Sequence, residues 1–150
     1  QSLAFLMEKS NLIHNNIGKI KAWRDASAVG VFLSMPAGEI QTYGLVSDTF
    51  REGKRVFVPK TLIGSNDMEM LEAMGEEDIR GFEKTPWGIP EPDWAIPSTG
   101  QTRARALDTD SLDVIIVPGL AFDENCQRLG RGKGYYDRYL SRWTGRPILR

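Results

Sequence analysis

The spacing of apolar residues predicts helices and strands that alternate along the chain. Near the start, apolar side chains recur at roughly helical intervals, which predicts a first helix. These side chains are Leu3, Leu6, Ile13, Ile17 and Ile20. A run of β-forming residues at 28–35 precedes a proline and a glycine, and it predicts a buried strand. Residues 40–51 again have helical spacing, with Thr42 placed to cap the helix and Gly53 to end it.

Further apolar runs predict three more strands and a last helix. Residues 55–58 and 113–117 are expected to form strands, and residues 67–71 a weaker one. Because the run at 113–117 is nearly unbroken and rich in β-branched residues, we expect it in the centre of a parallel sheet. A helix that packs back on this sheet is predicted by the spacing of Tyr136, Tyr139, Leu140 and Trp143.

Strands that alternate with helices predict a three-layer α/β/α sandwich around a mostly parallel sheet. In such sheets, ligands bind beyond the carboxyl ends of the strands. Three segments follow predicted strand ends, at residues 34–39, 59–60 and 119–137, and they form the candidate site. Residues 76–93 include the run GFEKTPWGIPEP, which predicts an irregular loop without regular elements; long loops of this kind often carry function.

Composition indicates one globular domain over residues 1–150, with 41% hydrophobic and 26% charged residues. The net charge of −1 provides no global field that would attract nucleic acid or an anionic membrane. No apolar run approaches the roughly 20 residues that cross a bilayer. Any anion site must therefore be local, and residues 128–137 form the dense cationic segment.

The single cysteine and the single histidine restrict the chemistry. Cys126 alone allows neither an internal disulfide nor a cysteine-rich metal site, so we expect a reducing compartment, the cytoplasm, with the mitochondrion as the alternative. His14 is expected to be a solvated helix residue, and one histidine argues against Ser–His, Cys–His and multi-histidine zinc sites. Carboxylates, cations, backbone amides and tyrosines remain.

The segment RLGRGKGYYD at residues 128–137 holds the densest candidate chemistry. Its glycines alternate with Arg131 and Lys133 and are followed by two tyrosines and Asp137. Glycines let backbone amides approach a ligand closely, and a helix start adds further donors, so the pattern suits a polyphosphate whose metal Asp137 helps to hold. The spacing fits neither a Walker A loop nor a dinucleotide fingerprint. A glycine-rich turn without ligand is the alternative.

Four segments resemble the 5-formyltetrahydrofolate cyclo-ligases, also called methenyltetrahydrofolate synthetases. The most specific is VPGLAFDENCQRLGRGKGYYDRYL at residues 117–140; VGVFLSMPAGEIQT, GKRVFVPK and KTPWGIPEP precede it in the family's order. The resemblance covers most of residues 29–140 and implies a fold related to the NagB/RpiA/CoA-transferase type. It also implies a reaction in which MgATP converts 5-formyltetrahydrofolate to 5,10-methenyltetrahydrofolate through a phosphorylated imidate, with release of ADP and phosphate.

The resemblance implies roles for individual residues. The residues expected to bind ATP form one run: Arg128, Leu129, Gly130, Arg131, Gly132, Lys133, Gly134, Tyr135 and Tyr136. Those expected to bind the folate are Leu33, Met35, Glu39, Trp87, Phe122, Arg131, Gly132, Lys133, Gly134 and Tyr135. Catalytic roles are expected for Glu39, Arg131, Lys133 and Tyr135, and Asp137 is expected to bind Mg²⁺. Lys60, at a strand end, is a further candidate phosphate contact.

Several of these residues also have a structural alternative. Glu39 suits the start of a helix, and Asp137 suits the first turn of one, where the helix dipole favours an acid. Trp87 could anchor its loop in the core, and Arg131 and Lys133 could be surface charges on a turn.

The resemblance further implies a basic helix before Gln1 that helps to bind ATP, and later strands beyond Arg150, one of which carries a second magnesium ligand. We therefore expect a single cyclo-ligase domain without those parts. We also expect a monomer whose substrates are MgATP and 5-formyltetrahydrofolate, in mono- or polyglutamylated form. Two other functions stay open: a small phosphotransferase with another acceptor, and a non-catalytic nucleotide- or folate-binding relative, which includes an RNA-associated protein.

Overall fold

A four-stranded sheet with helices on both faces forms the centre of the molecule. The structure, a computed structural model, describes residues 2–145. Its helices are α1 (Leu3–Lys19), α2 (Lys21–Asp25), α3 (Tyr43–Arg51), α4 (Glu76–Arg80), α5 (Ala106–Thr109) and α6 (Tyr135–Ser141). Its strands are β1 (Ala28–Val31), β2 (Arg55–Thr61), β3 (Met68–Ala73), β4 (Glu83–Lys84), β5 (Pro90–Glu91), β6 (Val114–Ile116), β7 (Ala121–Phe122) and β8 (Arg128–Leu129). None of the described helices is long and apolar enough to cross a membrane.

The central sheet has the strand order β3-β2-β1-β6. Strand β1 pairs in parallel with β2 and β6, whereas β2 pairs with β3 in an antiparallel hairpin. The prediction of a mostly parallel sheet is therefore confirmed. The prediction that the 113–117 run lies centrally is wrong within the described residues, because β6 is the outer strand and β1 the inner one. An apolar run indicates that both faces of a strand are buried, but it does not indicate how many of its edges are paired. Both faces of β6 are covered, although only one of its edges is paired within the described residues.

Alternation along the strands divides the core between the two faces of the sheet. Val29 and Val31 of β1 face one way and pack with side chains of α2, α3 and α4. Ala28 and Phe57 face the other way and pack with α5 and α6. This arrangement confirms the three-layer sandwich, while the relation to the NagB/RpiA/CoA-transferase type stays a prediction.

The middle of β1 is closely packed on the α6 side. A Cβ atom on Gly30 would lie 2.9 Å from Met70 Cε and 3.1 Å from Ile115 Cγ1. Both distances are shorter than ordinary van der Waals contact, so the glycine lets the neighbouring strands' side chains close over β1. The glycine that interrupts this β-branched run thus has a packing reason.

The predicted first helix is confirmed as α1, although its apolar stripe is interrupted at Ile20, the shared cap of α1 and α2, and only Leu6 of that stripe is buried. Two other local predictions at the helices need correction. Thr42 occupies the N-cap position of α3, but its hydroxyl donates to Phe32 O at 2.7 Å and caps nothing. His14 is not a solvated side chain: it is 23% exposed, and its Nε2 lies 3.0 Å from Asp48 Oδ2 of α3.

The segment at residues 76–93 contains regular structure, contrary to the prediction. It begins with α4 and continues into the hairpin of β4 and β5. At its turn, Thr85 N donates to Ile89 O and Gly88 N donates to Thr85 O, each at 2.8 Å. Gly88 has a φ of +79°, which a non-glycine residue rarely adopts. Glycine and proline therefore mark the turn of a short hairpin here.

We expect Tyr139→Phe to leave the protein at least as stable as the wild type, and Tyr139→Ala to lower the free energy of unfolding by about 3–5 kcal/mol. The Tyr139 side chain is fully buried on the α6 side, yet its hydroxyl has no hydrogen-bond partner among the described residues. An unpaired buried hydroxyl costs about 1–3 kcal/mol, whereas the ring fills the core. Urea unfolding of both variants measures the two effects, and an equally large loss for both would contradict this assignment.

The same hydroxyl predicts a dependence on pH. Burial, with the charge of Glu69, raises the pKa of Tyr139 above its ordinary value. The unfolded chain releases this proton near pH 10, whereas the folded chain retains it. The stability that the Tyr139 proton contributes to the free energy of unfolding is therefore fully present below pH 10 and is lost as the pH rises above about 10. The unfolding free energy of Tyr139→Phe should therefore fall less steeply in that range.

Candidate functional site

The candidate site lies where the parallel strands end. Strands β1, β2 and β6 run in the same direction, so their carboxyl ends share one edge of the sheet. The chain leaves β1 through residues 32–42 and leaves β6 through residues 117–134, and these two segments carry most of the predicted ligand contacts. The fold thus brings together what the sequence placed far apart.

The loop after β1 is fixed by its own side chains. Glu39 Oε2 accepts a hydrogen bond from Met35 N at 2.6 Å and so closes the turn through Gly38. Gln41 Nε2 donates to Met35 O at 3.0 Å and to Glu39 O at 2.9 Å. The bond from Met35 N to the Glu39 carboxylate is charge-assisted and therefore stronger than a neutral hydrogen bond. Together with the two Gln41 bonds, it predicts a well-ordered loop.

Buried hydroxyls anchor this loop to the fold. Ser34 and Thr42 are 0% and 3% exposed, and each accepts the backbone N–H of the other at 3.2 Å. Gln41 N donates to Ser10 Oγ of α1 at 2.8 Å. Sequence reasoning missed Ser10 and Gln41, because their role is visible only once the loop is folded; the polar spacing of SMPAGEIQT was the available signal.

The glycine-rich segment forms a hairpin followed by a helix. Strands β7 and β8 pair, and the chain then turns through Gly132 and Gly134, with φ values of +90° and +70°, into α6. Arg131 and Lys133 are exposed on this turn. Neither side chain has a hydrogen bond or an ion pair with another described residue, so both charges are available to a ligand.

Arg128 holds the hairpin against the start of α6. Its guanidinium donates to Pro118 O at 3.1 Å and to Asp137 Oδ1 at 3.0 Å, and it lies 5.9 Å from the centre of the Tyr136 ring. A Cβ atom on Gly130 would lie 2.7 Å from the guanidinium, so Gly130 makes room for Arg128. The predicted ATP contact at Arg128 thus coincides with a structural role.

Electrostatics joins the two loops. Burial raises the pKa of Tyr136, and the negative charge of Glu39 raises it further, while Arg128 opposes the change. Burial and Glu39 likewise raise the pKa of Tyr43, whose hydroxyl donates to Ser34 O at 3.4 Å. The negative charge of Glu39 thus acts on a tyrosine in the first turn of α6 and on one in the first turn of α3. Tyr43 is a site neighbour that the sequence analysis did not name.

The β4–β5 hairpin reaches the same edge. A Cβ atom on Gly88 would lie 3.0 Å from Pro36 Cγ, so the tip of the hairpin rests on the loop after β1. Trp87, beside it, is 75% exposed. A core anchor would be buried, so the exposed indole agrees better with a ligand-facing role. Phe122 is 60% exposed, and its ring lies against Gly119.

Two predicted ligand contacts are engaged within the fold. The Leu33 side chain is 3% exposed and packs in the core on the α3 side. Lys60 lies near the carboxyl end of β2, at this edge of the sheet, and its Nζ is 5.9 Å from the centre of the Trp94 ring. Both ligand contacts stay predictions. Two surface recesses have volumes of about 220 and 400 Å³, and residues of the glycine-rich turn line neither of them.

Among the described residues, Asp137 is the candidate ligand for a magnesium ion that arrives with a nucleotide. No group of three or more His, Cys, Asp or Glu side chains that could hold a metal occurs in the described part of the chain. Asp137 is 79% exposed and pairs with Arg128 in the first turn of α6. Magnesium in phosphate-transfer sites is commonly bound by one or two carboxylates together with phosphates and water, and Asp137 can supply one such ligand.

The comparison with protein families shows to which family the chain belongs. The model of the 5-formyltetrahydrofolate cyclo-ligase family matches residues 4–149. The chain belongs to this family. It is 37% identical over 139 residues to the 5-formyltetrahydrofolate cyclo-ligase of Mus musculus, an alignment that covers 93% of this chain and 63% of the mouse protein. It is 39% identical over 131 residues to a probable 5-formyltetrahydrofolate cyclo-ligase of Schizosaccharomyces pombe, covering 87% of this chain and 60% of that protein.

Solved structures agree with the cyclo-ligase fold. The structure of Aquifex aeolicus 5,10-methenyltetrahydrofolate synthetase superimposes with a TM-score of 0.71 at 26% identity, over 97% of this chain and 66% of that one. The Mycoplasma pneumoniae synthetase gives a TM-score of 0.63 at 16% identity, over 96% of this chain and 70% of that one, which supports the fold alone. The chain spans about 60% of the length of the two curated relatives.

We expect Arg128→Ala to loosen the β7–β8 hairpin of this cyclo-ligase family member. The Leu120 amide, which donates to Leu129 O at 2.8 Å, should then exchange its hydrogen about tenfold faster, corresponding to a loss of about 1.4 kcal/mol. Hydrogen exchange followed by NMR measures this rate. Arg131→Ala is the matched control, since that side chain has no hydrogen bond or ion pair with another described residue. An equal acceleration of exchange in both variants would contradict the role of Arg128.

Proposed function

We propose that this chain catalyses the ATP-dependent conversion of 5-formyltetrahydrofolate to 5,10-methenyltetrahydrofolate. One observation carries the proposal. The glycine-rich turn and the Glu39 loop lie at the same edge of the sheet in a member of the cyclo-ligase family. The relatives named above are cyclo-ligases or methenyltetrahydrofolate synthetases, and membership of their family supports the same reaction here. The free cations of the turn favour ATP as the phosphoryl donor.

The glycine-rich turn is suited to hold the triphosphate. Arg131 and Lys133 offer two unpaired positive charges on a turn whose glycines expose backbone amides. Phosphoryl transfer depends mainly on positioning the reactants and neutralising charge, and it requires neither a histidine nor a cysteine in the site. We assign ATP binding to residues 128–136, with Arg131 and Lys133 as the groups that neutralise the transferred phosphoryl.

The reaction follows from the poor leaving ability of a formamide oxygen. The formyl oxygen of the folate attacks the γ-phosphorus, the bond from that phosphorus to the bridging oxygen breaks, and ADP leaves. N10 then attacks the activated formyl carbon and loses its proton. The carbon–oxygen bond breaks and phosphate departs, which leaves the methenyl bridge between N5 and N10. The magnesium ion, when bound, supplies charge neutralisation on the phosphates, and Asp137 is the described residue that we assign to hold it.

The folate is assigned to the other side of the same edge. Glu39 binds Met35 N through Oε2, which leaves Oε1 to accept a hydrogen bond from a folate donor. Trp87 and Phe122 present exposed aromatic surface, and Tyr135 stands at the start of α6 between the two ligands. Aromatic rings of this kind suit stacking on a pterin. Glu39 thus orients the substrate, and the rings bind its flat face.

We further propose a cytoplasmic monomer that accepts mono- and polyglutamylated folate. The absence of any cysteine besides Cys126 supports a reducing compartment. The net charge of −1 supports small-molecule substrates and argues against a nucleic acid partner.

The decisive experiment mixes the purified protein with MgATP and 5-formyltetrahydrofolate. We expect a rise in the near-ultraviolet absorbance of the methenyl product that requires both substrates, together with one ADP per product. Separate measurements of ATP and folate binding accompany the assay. ATP binding without product would overturn the cyclo-ligase proposal in favour of the non-catalytic alternative, and ADP formation with another acceptor would favour the phosphotransferase.

Two substitutions should affect the two substrates differently. Lys133→Ala removes a phosphate contact and should raise the KM for ATP or lower kcat by about tenfold or more, since a charge-assisted hydrogen bond is worth roughly 1.5–3 kcal/mol. Trp87→Ala should raise the KM for the folate and leave that for ATP within about twofold. Lys19→Ala, at an exposed position on α1, is the control. Equal effects of Trp87→Ala on both substrates would indicate lost structure instead.

A further inference from the structure

Arg103 is a buried cation without a place in the proposed chemistry. Its side chain is 1% exposed and lies between the β5 strand and α5, outside any helix or strand. Burying a guanidinium is costly unless all its donors find partners. Its contacts therefore show what the fold gains from placing a charge there.

The guanidinium of Arg103 joins three separate segments of the chain, through two backbone oxygens and one carboxylate. Nε donates to Asp93 O at 2.8 Å, and Nη1 donates to Glu72 O of β3 at 3.1 Å. Nη1 and Nη2 also form a bidentate pair with Asp78 of α4, at 2.5 and 2.8 Å. All three nitrogens are engaged, which suits the rigid fork of arginine and cannot be reproduced by lysine.

The acidic partner is fixed as firmly as the cation. Asp78 Oδ2 also accepts Met74 N at 2.8 Å. Burial acts to raise the pKa of Asp78, but the hydrogen bonds from Arg103 and Met74 outweigh it and hold that pKa below its ordinary value. Asp78 is thus ionised at neutral pH, and the pair is a true ion pair at the edge of β3.

Asp78 and Asp93 bracket the segment that carries Trp87. Because Arg103 binds both ends, it closes the base of an arm formed by the end of α4 and the β4–β5 hairpin. The arm touches the sheet again through Glu91, whose carboxylate accepts from Thr61 Oγ1 at 2.8 Å, and its tip rests on Pro36. The exposed Trp87 ring has no core packing of its own, so its position depends on how the arm is held, by the Arg103 clamp at its base and by Ile79 and Phe82 in the core.

We infer that Arg103 is a positioning residue for folate binding: by clamping Asp78 and Asp93 it sets the arm that places Trp87 beside the Glu39 loop. The inference rests on the proposed function, because it assigns the arm to the folate. Arg103 does not touch the substrate in this scheme. The glycine-rich turn belongs to a different segment, so the clamp should affect folate affinity and not ATP affinity.

The test uses a variant that removes the pair without leaving a charge unpaired. Arg103→Ala alone would strand the Asp78 carboxylate and risks unfolding, whereas replacing a buried ion pair by apolar residues of similar size is often tolerated. The double variant Arg103→Met/Asp78→Leu therefore keeps a filled interior and loses the clamp. Arg103→Lys, which retains the charge but not the fork, should have an intermediate effect.

The matched control is Arg55→Met/Glu72→Leu. Arg55 and Glu72 form another bidentate side-chain pair, at 2.8 and 2.7 Å, on the neighbouring strands β2 and β3. Glu72 contributes only its backbone oxygen to Arg103, and the substitutions retain that oxygen. Urea unfolding establishes that all variants are folded. The readouts are the dissociation constants for 5-formyltetrahydrofolate and for ATP, their KM values, and backbone hydrogen exchange of residues 79–92 by mass spectrometry.

We expect Arg103→Met/Asp78→Leu to weaken folate binding about tenfold or more, to leave ATP binding within about twofold, and to accelerate exchange in residues 79–92. The control should change none of these. Unchanged folate affinity, or an equal loss for both ligands, would overturn the positioning role even if the enzyme is active. A wild type that binds folate but forms no product would refute the proposed reaction and leave the clamp testable by binding; a wild type that binds no folate would overturn both.

Discussion

Strand β1 is the constraint on which the rest of the structure depends. It pairs on both edges and is covered on both faces, with Val29 and Val31 completely buried. Full burial of a valine side chain contributes about 1.5–3 kcal/mol, and Val29 and Val31 gain it because α2, α3 and α4 close over their face of the sheet. The parallel pairing of β1 then requires long crossovers, which bring the chain back to start each strand at the same edge. The loops at the other edge are consequently gathered into one place.

The loops at this edge are ordered by polar contacts, since they contain little regular structure. Glu39 closes the loop after β1, Arg128 holds the β7–β8 hairpin, and Arg103 clamps the arm that bears Trp87. Each is a charged side chain that bonds to at least one backbone atom, and the two arginines also bond to a carboxylate. Such bonds fix a loop without requiring a core beneath it, and they leave the opposite surface of the loop open to a ligand. The edge is therefore ordered and accessible at the same time.

The sequence predicted what depends on local periodicity and on the glycine-rich motif. The apolar runs of β1, β2 and β6, in alternation with helices, predicted the layers, and RLGRGKGYYD indicated a turn before a helix, as observed. The outer position that β6 has among the described residues could not be predicted, because apolar runs carry no information about which strand edge is paired. The hairpin within residues 76–93 was missed because its turn glycine and prolines resembled an irregular loop. The role of Arg103 depends on Asp78 and Asp93, which are adjacent to it only in the folded chain.

The three arginines at residues 117–140 show why a motif alone does not assign function. Arg128 bonds to Pro118 O and Asp137, and Arg138 donates to Asn66 O at 3.2 Å and lies 3.5 Å from Asp67 Oδ1. Their charges are used by the fold, which ties the start of α6 to the β7–β8 hairpin on one side and to the turn before β3 on the other. Arg131, between them in sequence, has no such partner in the described residues. An anion competes poorly for a guanidinium that is already paired, so the structural pairing of Arg128 and Arg138 supports the proposal that Arg131 and its neighbour Lys133 neutralise the transferred phosphoryl.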